Sequence, residues 1–205
     1  KKKKITFMSN KTKIGIDAMG GENSPKKIFD AIEIFSKNNS NNTFLLYGDE
    51  KILKKIISSK RSISKFCEII HTPDSISDDE SPLTATKRGK ESSMWKSIES
   101  QKIEDADISL SAGNTGALLV MSRLILNTIE GIDKPALAGL WPNNKNMNVV
   151  LDLGANIECN EKNLTDFACM GSALFKSLYP EFDPRVALLN VGLEEHKGKD
   201  FLKKA

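Results

Sequence analysis

The stretch KIGIDAMGGE, residues 13–22, decides the fold. Its first five residues form a short apolar segment around Ile14 and Ile16, and an acid and a pair of glycines follow. Pro25 comes next, a residue favoured in the first turn of a helix, and residues 26–37 have a helical period. A buried strand that passes through a glycine turn into a helix is typical of the repeating unit of a parallel sheet.

The same alternation of strand and helix continues along the chain. Further strands are predicted at residues 43–47, 67–71, 106–110, 136–140, 148–153 and 185–191, and further helices at residues 50–59, 84–101, 115–128 and 163–178. Most of the strand segments are continuously apolar, as expected of strands that are covered on both faces. We therefore predict an α/β fold with a doubly wound, mainly parallel sheet between two layers of helices.

Composition and charge exclude several classes of protein. The 205 residues are 39% hydrophobic and 28% charged, which is ordinary for a globular chain. Thirty basic and 27 acidic residues are spread along the sequence, and the net charge of +3 is too small to indicate nucleic acid binding. The three cysteines lack the spacing of a metal site, and no apolar run is long enough to span a bilayer. We expect no metal and a cytoplasmic protein.

Small and polar residues follow four of the predicted strands. In a parallel sheet with right-handed crossovers, the carboxyl ends of the strands meet at one edge, where such sheets bind ligands. The four segments predict an anion site at this edge: residues 17–22, 111–117, 152–156 and 190–198. None of them matches the Walker A motif or the dinucleotide fingerprint, so a nicotinamide cofactor has no support.

Five motifs occur in a fixed order along the chain: IDAMGG (16–21), SSM (92–94), SAGNTGA (111–117), DLGAN (152–156) and LNVGLEEHKG (189–198). Together they resemble the successive motifs of the PlsX-type phosphate acyltransferases, and EGIDKPA (130–136) also resembles its family counterpart. Glu22 and Glu158 stand where the family usually has Asp. The resemblance implies a Rossmann-like, three-layer α/β/α fold of the isocitrate/isopropylmalate dehydrogenase type. Residues 1–12 would be a flexible extension, and residues 13–205 a domain truncated at its C-terminus.

The resemblance also implies a reaction. Members of this family transfer a long-chain fatty acyl group from acyl-acyl carrier protein to inorganic phosphate, which gives acyl phosphate for phospholipid synthesis. It implies a homodimer that needs no metal or organic cofactor and is coupled functionally to a membrane glycerol-3-phosphate acyltransferase. Peripheral association with the inner face of the membrane stays open.

Site residues follow from the same resemblance. The catalytic candidates are Lys197, which would stabilise phosphate or an oxyanion, Asp17, which would orient a donor or the phosphate, and Asn114, a hydrogen-bond donor. The candidates for binding phosphate or substrate lie in the strand-end loops: Gly20, Gly21, Ser111, Gly113, Thr115, Gly116, Asn156, Asn190 and Glu195.

Other readings of the sequence compete with this one. A phosphotransacetylase that uses acyl-CoA shares the chemistry, and a non-catalytic phosphate- or nucleotide-binding regulator could use the same loops. Cys159 has no neighbouring histidine in the sequence to activate it, so we expect a small, partly buried thiol rather than a nucleophile. The basic residues Lys87, Arg88 and Lys90 could receive an acidic carrier protein, but a solvated helix face is the preferred interpretation.

Overall fold

The computed structural model describes residues 11–144, 147–190, 192 and 200–205. The chain forms two compact units, one up to Asn127 and the other from Thr128. Of the predicted N-terminal extension, residues 1–10 lie outside the described residues, and the first strand begins at Thr12. The assignment of residues 13–205 to one domain stays a prediction.

The first unit alternates strands and helices as predicted, and it contains one short helix, Arg61–Ser64, that was not predicted. Its elements are β1 (Thr12–Asp17), α1 (Lys26–Ser36), β2 (Asn42–Gly48), α2 (Glu50–Ser59), α3 (Arg61–Ser64), β3 (Cys67–His71), α4 (Pro82–Arg88), α5 (Ser93–Lys102), β4 (Ile108–Leu110) and α6 (Thr115–Leu126).

The helix predicted over residues 84–101 is two helices in the structure. A short 3-10 turn, Gly89–Glu91, separates α4 from α5. Ser92 then adopts an extended backbone, and its hydroxyl accepts a hydrogen bond from the Trp95 amide, so it caps a new helix. This interruption turns Ser93 into the first residue of α5.

Four parallel strands form the sheet of the first unit, in the order β3-β2-β1-β4. Asp17 lies beside Tyr47 of β2, and Ile16 lies beside Leu110 of β4. The carboxyl ends of β1 and β4 are therefore neighbours, which brings the loops after them to the same edge of the sheet.

Helices cover both faces of this sheet. On one face, Phe44 and Leu46 of β2 pack with Phe29 of α1 and Leu53 of α2. On the other face, α5 crosses β1 so closely that a Cβ atom at Gly15 would lie 2.7 Å from the Ser100 hydroxyl. The prediction of a doubly wound parallel sheet is confirmed for this unit.

The second unit has a different sheet. Its elements are β5 (Ala138–Pro142), β6 (Met147–Leu151), α7 (Glu161–Leu178) and α8 (Asp200–Lys204). The two strands pair antiparallel and form a sheet of their own. We expected the loop after β6 to follow a strand of the same parallel sheet as β1 and β4. Within the described residues this expectation is wrong. A short connection favours this hairpin, because strands joined in parallel need a crossover of a dozen or more residues.

The predicted strand at residues 185–191 is not present in the part of it that the structure describes. Residues 185–190 have no regular structure, and residue 191 lies outside the described residues. The apolar side chains there are exposed, with Leu189 at 91%. An apolar run becomes a strand only when another strand pairs with its backbone, and none of the described strands does so.

Within the described ranges, every helix is too short or too polar to cross a lipid bilayer.

Candidate active site

The carboxylate of Asp17 is the centre of the loops at the sheet edge. It is 1% exposed and lies at the last position of β1. Its Oδ1 accepts hydrogen bonds from the amides of Met19 (3.3 Å) and Gly20 (3.1 Å) and from the hydroxyl of Ser93 (2.6 Å), and its Oδ2 accepts one from the hydroxyl of Ser111 (2.7 Å). A buried carboxylate is costly unless it is hydrogen-bonded, and four donors here meet that requirement.

The turn after β1 wraps around this carboxylate and touches the loop after β4. A Cβ atom at Gly20 would lie 2.3 Å from Asp17 Oδ2, and one at Gly113 would lie 3.0 Å from the Cα atom of Gly20. Gly21 has a φ of +81°, and a Cβ atom there would lie 2.1 Å from the carbonyl oxygen of Ala112. These glycines allow two backbones to approach each other where side chains would not fit.

The loop after β4 continues directly into α6. Asn114 caps this helix, since its Oδ1 accepts a hydrogen bond of 2.9 Å from the Ala117 amide. Thr115 is exposed, and Pro82 covers Gly116 so closely that a Cβ atom there would lie 2.6 Å from Pro82 Cγ. The first amides of a helix have no partner within it and carry the positive end of its dipole, so this end of α6 favours an anion.

The side-chain NH2 group of Asn114 donates its hydrogen bonds to other parts of the protein. Its Nδ2 donates to the carbonyl oxygens of Glu80 (2.7 Å), Ser77 (3.2 Å) and Asp78 (3.2 Å). The structure therefore directs this donor towards a neighbouring loop. The direct catalytic role of Asn114 stays a prediction.

Lys27 places a cation beside the glycine turn, and the sequence analysis did not single it out. Its Nζ lies 3.5 Å from the carbonyl oxygen of Ala112, and it would lie 2.5 Å from a Cβ atom at Gly21. The ammonium group thus reaches over the glycine turn towards the loop after β4. A lysine in the first turn of a helix after a proline has no sequence signal that separates it from an ordinary surface lysine.

Ser93 is a second residue that the predicted site lacked. Its side chain is fully buried, and its hydroxyl donates to Asp17 from 76 residues further along the chain. The SSM motif contained the signal, but the sequence does not say which serine caps the helix and which one faces the carboxylate. The structure assigns the cap to Ser92 and the contact with Asp17 to Ser93.

In the second unit, Asp152 organises the loop after β6. Its backbone has a φ of +61°, and its Oδ1 accepts from the Asn156 amide (3.1 Å) and the Asn156 side chain (2.9 Å). Asn156 Nδ2 also donates to the carbonyl oxygen of Pro135 at 2.8 Å. Asn156 therefore braces this loop in the structure, and its role as a ligand donor stays a prediction.

The surroundings of Cys159 and Cys67 do not favour a nucleophilic thiol. Burial and the negative charge of Asp152, whose Oδ2 lies 3.5 Å from the Cys159 Sγ, raise the pKa of the Cys159 thiol. Burial raises the pKa of Cys67 in β3 to about 11. A thiol with a raised pKa is a poor nucleophile because the thiolate is the reactive form.

The remaining predicted residues lie near the end of the chain. Lys197 and Glu195 lie outside the described residues, and Asn190 is an exposed residue of the second unit. Across residues 11–144, 147–190, 192 and 200–205, no group of three or more His, Cys, Asp or Glu side chains is arranged to hold a metal ion.

Comparison with known proteins identifies the family of this chain. The family model described as "Fatty acid synthesis protein" matches residues 12–205. A phosphate acyltransferase of Pelagibacter ubique is 56% identical over 196 residues, which is 96% of this chain. This chain belongs to the PlsX-like family. A family member from Rhodospirillum rubrum, also named phosphate acyltransferase, is 41% identical over 97% of the chain.

The chain spans 58% and 57% of the lengths of these two relatives. Among solved structures, the EutD phosphotransacetylase from Staphylococcus aureus matches with a TM-score of 0.66, over 96% of this chain and 62% of that one. At 18% identity, this likeness shows a shared α/β fold alone.

Replacement of Gly21 by Ala tests the close contact between the two loops. Gly131 is the matched control, because it has a similar φ of +84° and open space where a Cβ atom would be. We expect Gly131→Ala to cost about 1 kcal/mol from backbone strain alone. Gly21→Ala should cost about 2 kcal/mol more, because the Ala112 carbonyl has to move. Hydrogen exchange, measured separately for the two units, gives the loss in free energy of unfolding for each variant. Equal losses in the two variants would contradict the close contact between Gly21 and the Ala112 carbonyl.

The pH dependence of alkylation tests the environment of Cys159. Because its thiol pKa is raised, we expect its reaction with iodoacetamide to begin at a higher pH than that of an ordinary thiol, whose pKa is about 8.5. Asp152→Asn removes a nearby negative charge, so the midpoint should move to lower pH. Peptide mass spectrometry against pH gives both midpoints, with Cys159→Ser as the blank. A midpoint below that of an ordinary thiol would refute the assignment.

Proposed function

We propose that the full-length protein transfers a long-chain fatty acyl group from acyl-acyl carrier protein to inorganic phosphate, which yields acyl phosphate for phospholipid synthesis. The observation that carries this proposal is the 56% identity to a phosphate acyltransferase over 96% of the chain. The strand-end loops of the first unit supply a suitable chemical environment, since they present backbone amides and a cation at one sheet edge.

The reaction needs positioning more than it needs a protein nucleophile. A phosphate oxygen attacks the thioester carbonyl carbon, and the carbonyl electrons move to oxygen to give a tetrahedral oxyanion. When the carbonyl re-forms, the carbon–sulfur bond breaks, and the departing thiolate takes up the proton that phosphate releases. Holding phosphate against the thioester and stabilising the oxyanion are the two tasks left to the protein.

Residues of the first unit suit the first task. We assign phosphate binding to the free amides of Thr115 and Gly116, to the backbone of the Gly20–Gly21 turn and to the Lys27 ammonium. A carboxylate facing phosphate would repel it, but Asp17 is covered by four donors. We therefore assign Asp17 to holding the two loops and Ser111 in place.

The remaining assignments follow from the family. We propose that Lys197 stabilises the phosphate or the oxyanion and that Asn156, Asn190 and Glu195 bind substrate. The same proposal includes a homodimer, a carrier protein as acyl donor and action in the cytoplasm, coupled to a membrane glycerol-3-phosphate acyltransferase.

A phosphotransacetylase is the second candidate, because the fold matches EutD and the acceptor would be the same. The two functions differ in the acyl donor, which is a carrier protein in one and a short acyl-CoA in the other.

Labelled phosphate distinguishes these functions in one assay. The full-length protein, incubated with palmitoyl-acyl carrier protein, should release free carrier protein and incorporate label into an extractable acyl phosphate. Lys197→Met should lower kcat by about 100-fold if the lysine stabilises the oxyanion. Turnover with acetyl-CoA instead would make the protein a phosphotransacetylase. Phosphate binding without turnover of either donor would leave only a binding module.

Ser93→Ala tests the supporting role of the buried hydroxyl. The change removes one of four donors to Asp17 and leaves the other three. We expect the free energy of unfolding of the first unit to fall by roughly 1.5 kcal/mol or more, because one donated bond to a charged group contributes about that much to stability. We expect kcat for acyl phosphate formation to fall as well, because Asp17 holds the loops of the proposed site. Ser97→Ala, another buried serine of α5 whose hydroxyl donates to a backbone carbonyl, is the control and should have less effect. Equal losses would show a general weakening of α5.

A further inference from the structure

The segment before α4, residues 74–80, lies against the amino end of α6. Ile76 anchors it in the core, where it packs with Met94 of α5 and Met121 of α6. The rest of the segment is polar and carries four carboxylates, those of Asp74, Asp78, Asp79 and Glu80. A segment with this charge beside an anion site needs something to hold it and to balance its charge.

Asn114 holds the backbone of this segment. Its side-chain Nδ2 has two hydrogens and donates to three carbonyl oxygens, those of Ser77, Asp78 and Glu80. At the same time its Oδ1 caps α6. The carbonyl groups of the segment are therefore fixed directly to the helix end that faces the phosphate site.

Arg88 holds the side chains of the same segment. Its Nε and Nη2 donate to the two carboxylate oxygens of Glu80 at 2.6 and 2.5 Å, and its Nη1 donates to Asp74 Oδ2 at 2.5 Å. Its Nη2 also donates to the Ser75 carbonyl oxygen at 3.2 Å. The Glu80 side chain is only 13% exposed, and Arg88 lowers its pKa, so the carboxylate stays charged and paired.

The segment is also joined to Asp17. The carbonyl oxygen of Asp74 accepts a hydrogen bond of 3.0 Å from the Ser93 amide, and the Ser93 hydroxyl donates to Asp17. A continuous set of hydrogen bonds thus runs from the Arg88 guanidinium through Asp74 and Ser93 to the carboxylate that organises the site.

We propose that Arg88 is a positioning residue for the phosphate subsite, an inference that rests on the proposed function. It neutralises Glu80 and Asp74 and keeps the 74–80 segment fixed to α6. The carboxylates of Glu80 and Asp74 are then compensated where the segment lies beside the positive end of α6. Arg88 does not touch phosphate; it acts through Glu80 and through the segment that Asn114 holds.

The charge on Glu80 makes this role testable. In the full-length protein, Arg88→Met removes the ion pairs of both Glu80 and Asp74. The KM for phosphate should therefore rise about fivefold, while the KM for acyl-acyl carrier protein changes less than about twofold. The double variant Arg88→Met/Glu80→Gln also removes the charge of Glu80, the less exposed of the two carboxylates, and should restore the KM for phosphate to within about twofold of wild type. Arg61→Met, at an exposed arginine of α3, is the matched control and should change neither constant.

Two results would overturn the inference. One is an unchanged KM for phosphate in Arg88→Met while the wild-type protein makes acyl phosphate. The other is an equal defect in the double variant, which would show local unfolding instead of an unpaired charge. If the wild-type protein turns over no acyl donor, the proposed function fails. Binding of labelled phosphate to the same four proteins then decides the role of Arg88 separately, and equal affinities would refute it.

Discussion

The buried carboxylate of Asp17 is the interaction on which the first unit's candidate site depends. Three separate segments donate to it: the turn after β1, the start of α5 and the loop after β4. Because a buried carboxylate without donors is unfavourable, each segment is held where its donor reaches Asp17. The glycines around Asp17 support the same arrangement, because they let the turn after β1 and the loop after β4 come into backbone contact.

This arrangement separates supporting residues from those that can meet a ligand. Asp17, Ser93 and Asn114 use their polar groups on the protein itself. In the proposed site, the groups assigned to an anion are backbone amides at the start of α6, the backbone of the Gly20–Gly21 turn and the ammonium of Lys27. An anion site built from amides and a cation on a rigid sheet edge needs little rearrangement when it binds, which favours both affinity and rate.

Carboxylates beside an anion site oppose anion binding unless their charge is compensated. The 74–80 segment places carboxylates beside the amino end of α6, and the ion pairs of Arg88 with Glu80 and Asp74 compensate part of that charge. Of the three basic residues considered as a docking surface, Arg88 is thereby committed to contacts within the unit. A basic run in a sequence therefore does not show how much positive charge is available to a partner.

The sequence alone determined the α/β class, the order of the four strands along the first unit, the family and the loops at the ends of β1 and β4. These follow from local periodicity and from motifs whose residues are neighbours in the chain. Only the tertiary structure decided that Ser93 donates to Asp17, that Arg88 pairs with Glu80 and Asp74, that Asn114 holds a loop, and that β5 and β6 pair antiparallel. Residues 185–191 were predicted as a strand because most of them are apolar, but a strand also requires a partner that no local pattern reveals. Contacts between residues 76 or more positions apart, such as Ser93 with Asp17, arise from packing and leave no local signal.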